Sequence, residues 1–417
     1  MERYAYKPVK TAEEFKSEFS RIKRIRHFYT AGETRYLAGD LHYLLEALDA
    51  MPEPPETKVK LLAAFFKADS NIVNKCDDSY GEMSVLYDTA GELFGKYAAL
   101  CEDKTGIGKV VLKTYAADTY SMCDFLLGKG CAGLPQKVLR VMADSFWAMT
   151  EAPEKDRRGH YFQGVKALAR HLKDPELYEK AYSAEYGGVI SEGHLPDIAK
   201  LYFECGRAAQ ALAVLERIKY GNNFRGDERD ELLLNIYREL GDRPKLEETA
   251  WRVFLRRRSA TAFERLVALL GETRRTELLN AEVVKIFAAP GPNYDDITFL
   301  LETGRLDDAE KYIIAHAVRL NGDLYTHLLH YAAAMEEHKR WLASAVLHRA
   351  LLESILARAI TKYYPYGAKY LAHLNVLAEL VTNWRGVRPH AEYFKELEAA
   401  HARKVSFWEK YRRRAQH

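Results

Sequence analysis

The sequence predicts an all-α protein of stacked antiparallel helical hairpins, and three observations carry that prediction. Strand signals are scarce, and no Asn-Gly turn joins two alternating β-branched runs. Apolar residues instead recur every three or four positions, which lines one face of a helix. A glycine-marked unit also repeats along the middle of the chain, at Gly206, Gly241, Gly271 and Gly304, in steps of 35, 30 and 33 residues.

The elements follow in chain order. Helical spacing is present over Glu13–Ile25 and Lys58–Phe66, and Met51–Pro55 breaks the chain between them because proline cannot continue a helix. Gly128–Pro135 is a second break, and the polar stretch Glu151–Gly159 a third. The repeat then runs IAKLYFECGRAAQALAVL, LLLNIYRELGDRPKLEETA, FERLVALLGETRRTELL and ITFLLETGRLDDAEKYI. In each, an apolar helical run meets a glycine, a short polar turn and a second helical run. Glycine just past a helix supplies the left-handed conformation that closes it, so the next helix folds back. A fifth unit is expected over Leu328–Leu347, with Glu337 or His338 at its turn. Leu352, Ile355, Leu356, Ala359, Ile360 and Tyr363 then mark one face of a further helix.

A single hairpin cannot bury both its apolar faces, so neighbours are expected to stack into an α-solenoid. The period is close to the 34 residues of the tetratricopeptide repeat. The Trp and Pro of that consensus are missing, so the units are tetratricopeptide-like. The expected organisation is an N-terminal helical region over 1–175, repeats over 176–340, and a C-terminal helical cap over 341–417.

Composition excludes several classes. Of 417 residues, 48% are hydrophobic and 29% charged, which suits a globular chain. The net charge of +3 means that nucleic-acid binding must rest on a local patch. Cysteines 76, 101, 123, 131 and 205 contain no C-x-x-C pair, so reduced, buried thiols are expected. The charged start of the chain is unlike a secretory signal, and no apolar run reaches spanning length. A cytoplasmic protein without membrane contact is the expectation.

Three segments carry a family resemblance: NKCDDSYGEMSVL at 74–86, YAADTYSMCDFLL at 115–127, and 363–408 with YYPYGAKYLAHLNVLAEL and PHAEYFKELEAAHARKVSFW. The chain resembles a bacterial family of uncharacterised all-helical repeat proteins, related to helical regions that follow SWIM-type zinc fingers. The finger's Cys-x-Cys…Cys-x-His cluster is absent. The resemblance implies a helical scaffold and points to Asp77, Asp78, Asp118, Asp124, His390, Tyr393 and Trp408. Tyr80 stands where the acidic motif would carry another Asp.

Other constellations weigh less. Gly128-Lys129-Gly130-Cys131-Ala132-Gly133 fits G-x-G-x-x-G, but it lacks the preceding strand of a dinucleotide site and reads as a helix-to-helix turn. Asp77 and Asp78, with Asp118 and Asp124, are candidate oxygen ligands for a hard cation. The competing reading is that Asp78 or Ser79 caps the next helix. His327 and His330 share a helix face but lack further ligands, and His390-Ala-Glu392 lacks the Pro-Cys-x-x-Cys of zinc deaminases. No metal or other cofactor is therefore expected. Nucleophile elbows, P-loops and kinase motifs are absent, so an enzyme is the third choice.

The favoured expectation is a scaffold that binds a protein partner. Its candidate contacts are the acidic pairs, His390, Tyr393, His401, and Asn222, Asn223 and Phe224 in the loop Lys219–Asp227. The alternative is nucleic-acid binding. Arg21, Lys23, Arg24 and Arg26 form one basic cluster and Arg256, Arg257 and Arg258 another. The third, Arg403, Lys404, Lys410, Arg412, Arg413 and Arg414, interleaved with Phe407, Trp408 and Tyr411, suits phosphate contact plus base stacking. A metal- or nucleotide-dependent enzyme is the remaining alternative.

Overall fold

The computed structural model describes residues 8–151, 157–219, 221 and 224–415. It is 75% helical, with no strand among the described residues; an isolated bridge pairs Tyr29 with Cys76. No helix among the described residues is long and apolar enough to cross a membrane. The chain packs as two units, Met1–Leu240 and Gly241–His417. That division falls inside the expected repeat region.

In the first unit, local signals set the helix starts. Thr11 and Glu14 form a reciprocal capping box at helix Ala12–Arg24. Asp103 caps Lys104–Tyr115, and Asp174 caps Pro175–Glu185. Aromatic side chains fill the core: Phe19 stacks on Phe65 at 5.3 Å, and Tyr115 meets Phe146 at 5.0 Å. The glycine-rich stretch departs from a plain turn. Leu126–Gly130 is a π-helical turn, and the following helix opens only at Gln136, so the backbone has no strand-to-helix phosphate cradle.

A recurring turn closes several hairpins. Lys173, Gly206, Gly304 and Lys339 take φ of 51°, 73°, 73° and 57°. In each case the next residue's N–H reaches the carbonyl five positions back: Asp174 to Ala169, Arg207 to Tyr202, Arg305 to Leu300 and Arg340 to Met335. This is the left-handed closure that satisfies the last carbonyls of a helix. Two expectations shift. The fifth turn places Lys339, not Glu337 or His338, in the left-handed conformation. Gly271 has φ 105° and ψ 134°, an extended glycine-only conformation that leads into a 3₁₀ turn.

The second unit is built around helix Trp341–Arg358. Every residue from Leu342 to Leu352 is buried, so this stretch of the helix is covered on all sides. It packs against helices Tyr325–Glu337, Leu306–Ala315 and Tyr364–Leu380. The apolar face expected to reach Tyr363 stops earlier. Ala359 turns left-handed at φ 56°, Ile360 is exposed, and Thr361–Tyr363 is a 3₁₀ turn. Phe254, Phe263 and Phe299 form a second cluster with centroids 5.6–5.9 Å apart.

Candidate functional site

Besides Ser344, the buried helix carries two titratable side chains in its most enclosed stretch, His348 and Arg349, each 7% exposed. Buried polar groups need partners, and each of these collects its own.

His348 gathers the first cluster. The chain reverses at Lys339, between Glu336 and His348, and again at Ala359, between His348 and His373. Glu336 Oε1 is 3.4 Å from His348 Nε2 and 2.8 Å from His373 Nε2. Ser344 Oγ donates to the same oxygen at 2.5 Å. The two rings meet edge to face at 4.8 Å. Burial would raise the Glu336 pKa, but hydrogen bonds from His348, Ser344 and His373 outweigh it and hold the carboxyl down at about 2. One ligand-type atom from each of the three residues lies within 4.8 Å of the other two. His348 Nδ1 is buried and meets no hydrogen-bond partner.

Arg349 gathers the second cluster. Its guanidinium lies over the rings of Tyr393 at 4.2 Å and Trp384 at 4.8 Å, and Nη1 donates to the Arg388 carbonyl at 2.8 Å. Burial pulls its pKa down to about 10. Arg349 Nε and Nη2, and also His390 Nδ1 and the Tyr393 hydroxyl, are buried without a hydrogen-bond partner. His390 Nε2 pairs with Asn375 Oδ1 at 2.8 Å, and Asn375 donates to the Tyr411 hydroxyl at 2.8 Å. Two residues singled out in the sequence, His390 and Tyr393, thus stand beside Arg349, which had no sequence signal.

The C-terminal cations are partly brought together. Lys410, Arg413 and Arg414 line a concavity of about 600 Å³ with Pro365 and Ala368, at the start of helix Tyr364–Leu380. Arg403, Lys404 and Arg412 are not among its lining residues. Trp408 is 5% exposed, packs against Phe394, Phe407 and Tyr411, and donates to the His401 carbonyl at 2.9 Å. Its ring is core and offers no face for base stacking. Arg258 is likewise committed, to Glu282 and Asp296.

The acidic motifs stay apart. Asp77 accepts from the Ser79 N–H at 3.1 Å, and Asp78 accepts from the Met83 N–H at 2.9 Å in the first turn of helix Glu82–Leu100, whose N-cap position is Gly81. Asp124 accepts from the Tyr115 hydroxyl at 3.1 Å. Asp118 is buried, and burial together with the neighbouring Asp69 lifts its carboxyl to about 7. Among the described residues, these aspartates form no three-ligand group. Phe224 is exposed, with its ring edge near Gly193, while Arg225 grips Asp197 through two 2.9 Å bonds. Asn222 and Asn223 lie outside the described residues. His327 and His330 are exposed and take no part in the three-ligand group.

A family model described as a family of unknown function, DUF6880, matches residues 190–410, more than half of the chain. The chain belongs to the DUF6880 family. The DUF6880 match contains both polar clusters of the buried helix and the segment 363–408, whereas the segments at 74–86 and 115–127 precede it. No curated protein matches the chain.

Proposed function

We propose that this DUF6880 protein is a tetratricopeptide-like, non-enzymatic interaction scaffold that holds a segment of a partner protein. The three-part organisation 1–175, 176–340 and 341–417 belongs to the same proposal, as does kinship with the helical regions that follow SWIM-type fingers. One observation carries the reading. The same left-handed turn closes hairpins at Lys173, Gly206, Gly304 and Lys339, as expected of units that repeat one supersecondary design. Large apolar side chains also stay in solvent elsewhere in the second unit, with Leu255 on helix Arg243–Arg256 56%, Val284 on helix Arg275–Ala288 70% and Val318 in the 3₁₀ turn Ala317–Arg319 99% exposed. Such residues suit contact with a partner.

The test is cross-linking of the full chain in its native host, compared with Leu255→Glu, Val284→Glu and Val318→Glu combined. A partner protein captured by the wild type and lost from the variant, at unchanged helical content, is the expected result. Equal capture by both chains contradicts the assignment of that surface.

A second reading, nucleic-acid binding, is favoured by the basic concavity of Lys410, Arg413 and Arg414. Three phosphate contacts predict an affinity that falls about 40-fold between 50 and 200 mM salt, from a slope of about 0.9 per contact. Changing the three cations to Glu should abolish binding to DNA and RNA, and unchanged binding dismisses this reading.

A further inference from the structure

We propose that Glu336, His348 and His373 form a three-ligand site for a divalent transition-metal ion of the zinc class. The donor set is one carboxylate and two imidazoles, a combination that suits zinc better than magnesium or calcium. The geometry fits. Zinc takes oxygen and nitrogen ligands at about 2.0–2.2 Å in a tetrahedron, so its ligands sit about 3.3 Å apart. The two Glu336–imidazole separations, 3.4 and 2.8 Å, bracket that edge. The remaining pair lies within 4.8 Å, a gap that small rotations of the half-exposed His373 close.

The surroundings support a cation. Ser344 Oγ fixes the Glu336 carboxylate from the side, the kind of outer contact that orients a metal ligand. Glu336 stands in the last turn of helix Tyr325–Glu337, where the helix dipole is negative and favours positive charge. His348 is only 7% exposed, and its Nε2 faces the Glu336 carboxylate at 3.4 Å. An imidazole that only tied helices together would be cheaper as an apolar residue. Glu336 and His373 keep 27% and 36% side-chain exposure, which leaves a route for the ion and a fourth coordination position for water.

The sequence pattern hides this set, because the ligands come from three helices at spacings outside the familiar motifs. The five cysteines all precede Gly241, so no thiol of the second unit competes.

The experiment uses the full chain without a histidine tag, loaded with zinc and then dialysed against metal-free buffer. Elemental analysis should find about one zinc per chain. Glu336→Gln and His373→Ala should each weaken zinc affinity at least 10- to 100-fold, the loss that follows even from removing outer contacts of such sites. Helical content should stay unchanged, because both side chains reach solvent. Cobalt(II) in place of zinc should give visible d–d absorption without a thiolate charge-transfer band. The proposal is overturned if the wild type retains no metal, if the two variants retain as much as the wild type, or if the cobalt spectrum reports sulfur ligation.

Discussion

Asp118 illustrates how much a single residue owes to its surroundings. It is 5% exposed, neither carboxylate oxygen meets a hydrogen-bond partner, and Asp69 lies beside it. Asp69 itself is satisfied by the N–H groups of Thr119 and Tyr120 at 2.7 and 2.9 Å. Burial and the adjacent carboxylate lift the Asp118 carboxyl to about 7, above its ordinary value. The folded state therefore holds a proton that the unfolded chain has released between about pH 4 and 7, and stability falls as pH rises through that window. Asp118→Asn should flatten this slope and stabilise the protein at pH 8 by on the order of 2 kcal/mol. Urea melts at several pH values check it; a variant as pH-dependent as the wild type contradicts the assignment. The family segment marked Asp118 in the sequence, but the partner that gives it its character lies 49 positions earlier and has no motif of its own. Glu336, His348 and His373 were less legible still. The reading of 352–363 as one continuous helix removed the reversal at Ala359 that brings His373 to His348.

At the scale of elements, the repeated turn was the most legible feature. Glycines at 206 and 304 announced it, because a side chain there must adopt a left-handed backbone that only glycine adopts at little cost. The same turn at Lys173 and Lys339 was invisible, since lysine carries no such signal. Nothing lies within 4 Å of a Cβ placed on Gly206 or Gly304, so their replacement costs only backbone energy. Gly206→Ala and Gly304→Ala should each destabilise by about 1 kcal/mol, whereas Lys339→Gly should be neutral or stabilise by up to about 1 kcal/mol. Denaturation midpoints for the three variants decide this, and a stabilising Gly304→Ala would contradict it. Gly322 is a different case. A Cβ there would lie 2.1 Å from the Ala350 carbonyl oxygen, so Gly322→Ala should push the chain off the buried helix and cost more than about 3 kcal/mol. That helix shows why its own pattern was hard to read: a stretch that is covered on every side has no polar face to give it a period.

For the whole molecule, the all-helical class was legible because strand signals were scarce and helical periods frequent. The two units were not, since Gly241 reads in the sequence as one turn among several rather than as a boundary. The scaffold and polyanion readings differ in the physics of their contacts. Apolar contacts at Leu255, Val284 and Val318 respond weakly to salt, while Lys410, Arg413 and Arg414 act through screened charge. The most direct measurement is therefore the affinity of the full chain for its captured partner protein at 50 and 200 mM salt. The scaffold account predicts a stoichiometric complex whose affinity changes less than about 10-fold over that range, because few ion pairs are at stake. A complex that forms only through nucleic acid, or one that weakens about 40-fold or more as three phosphate contacts require, would contradict it.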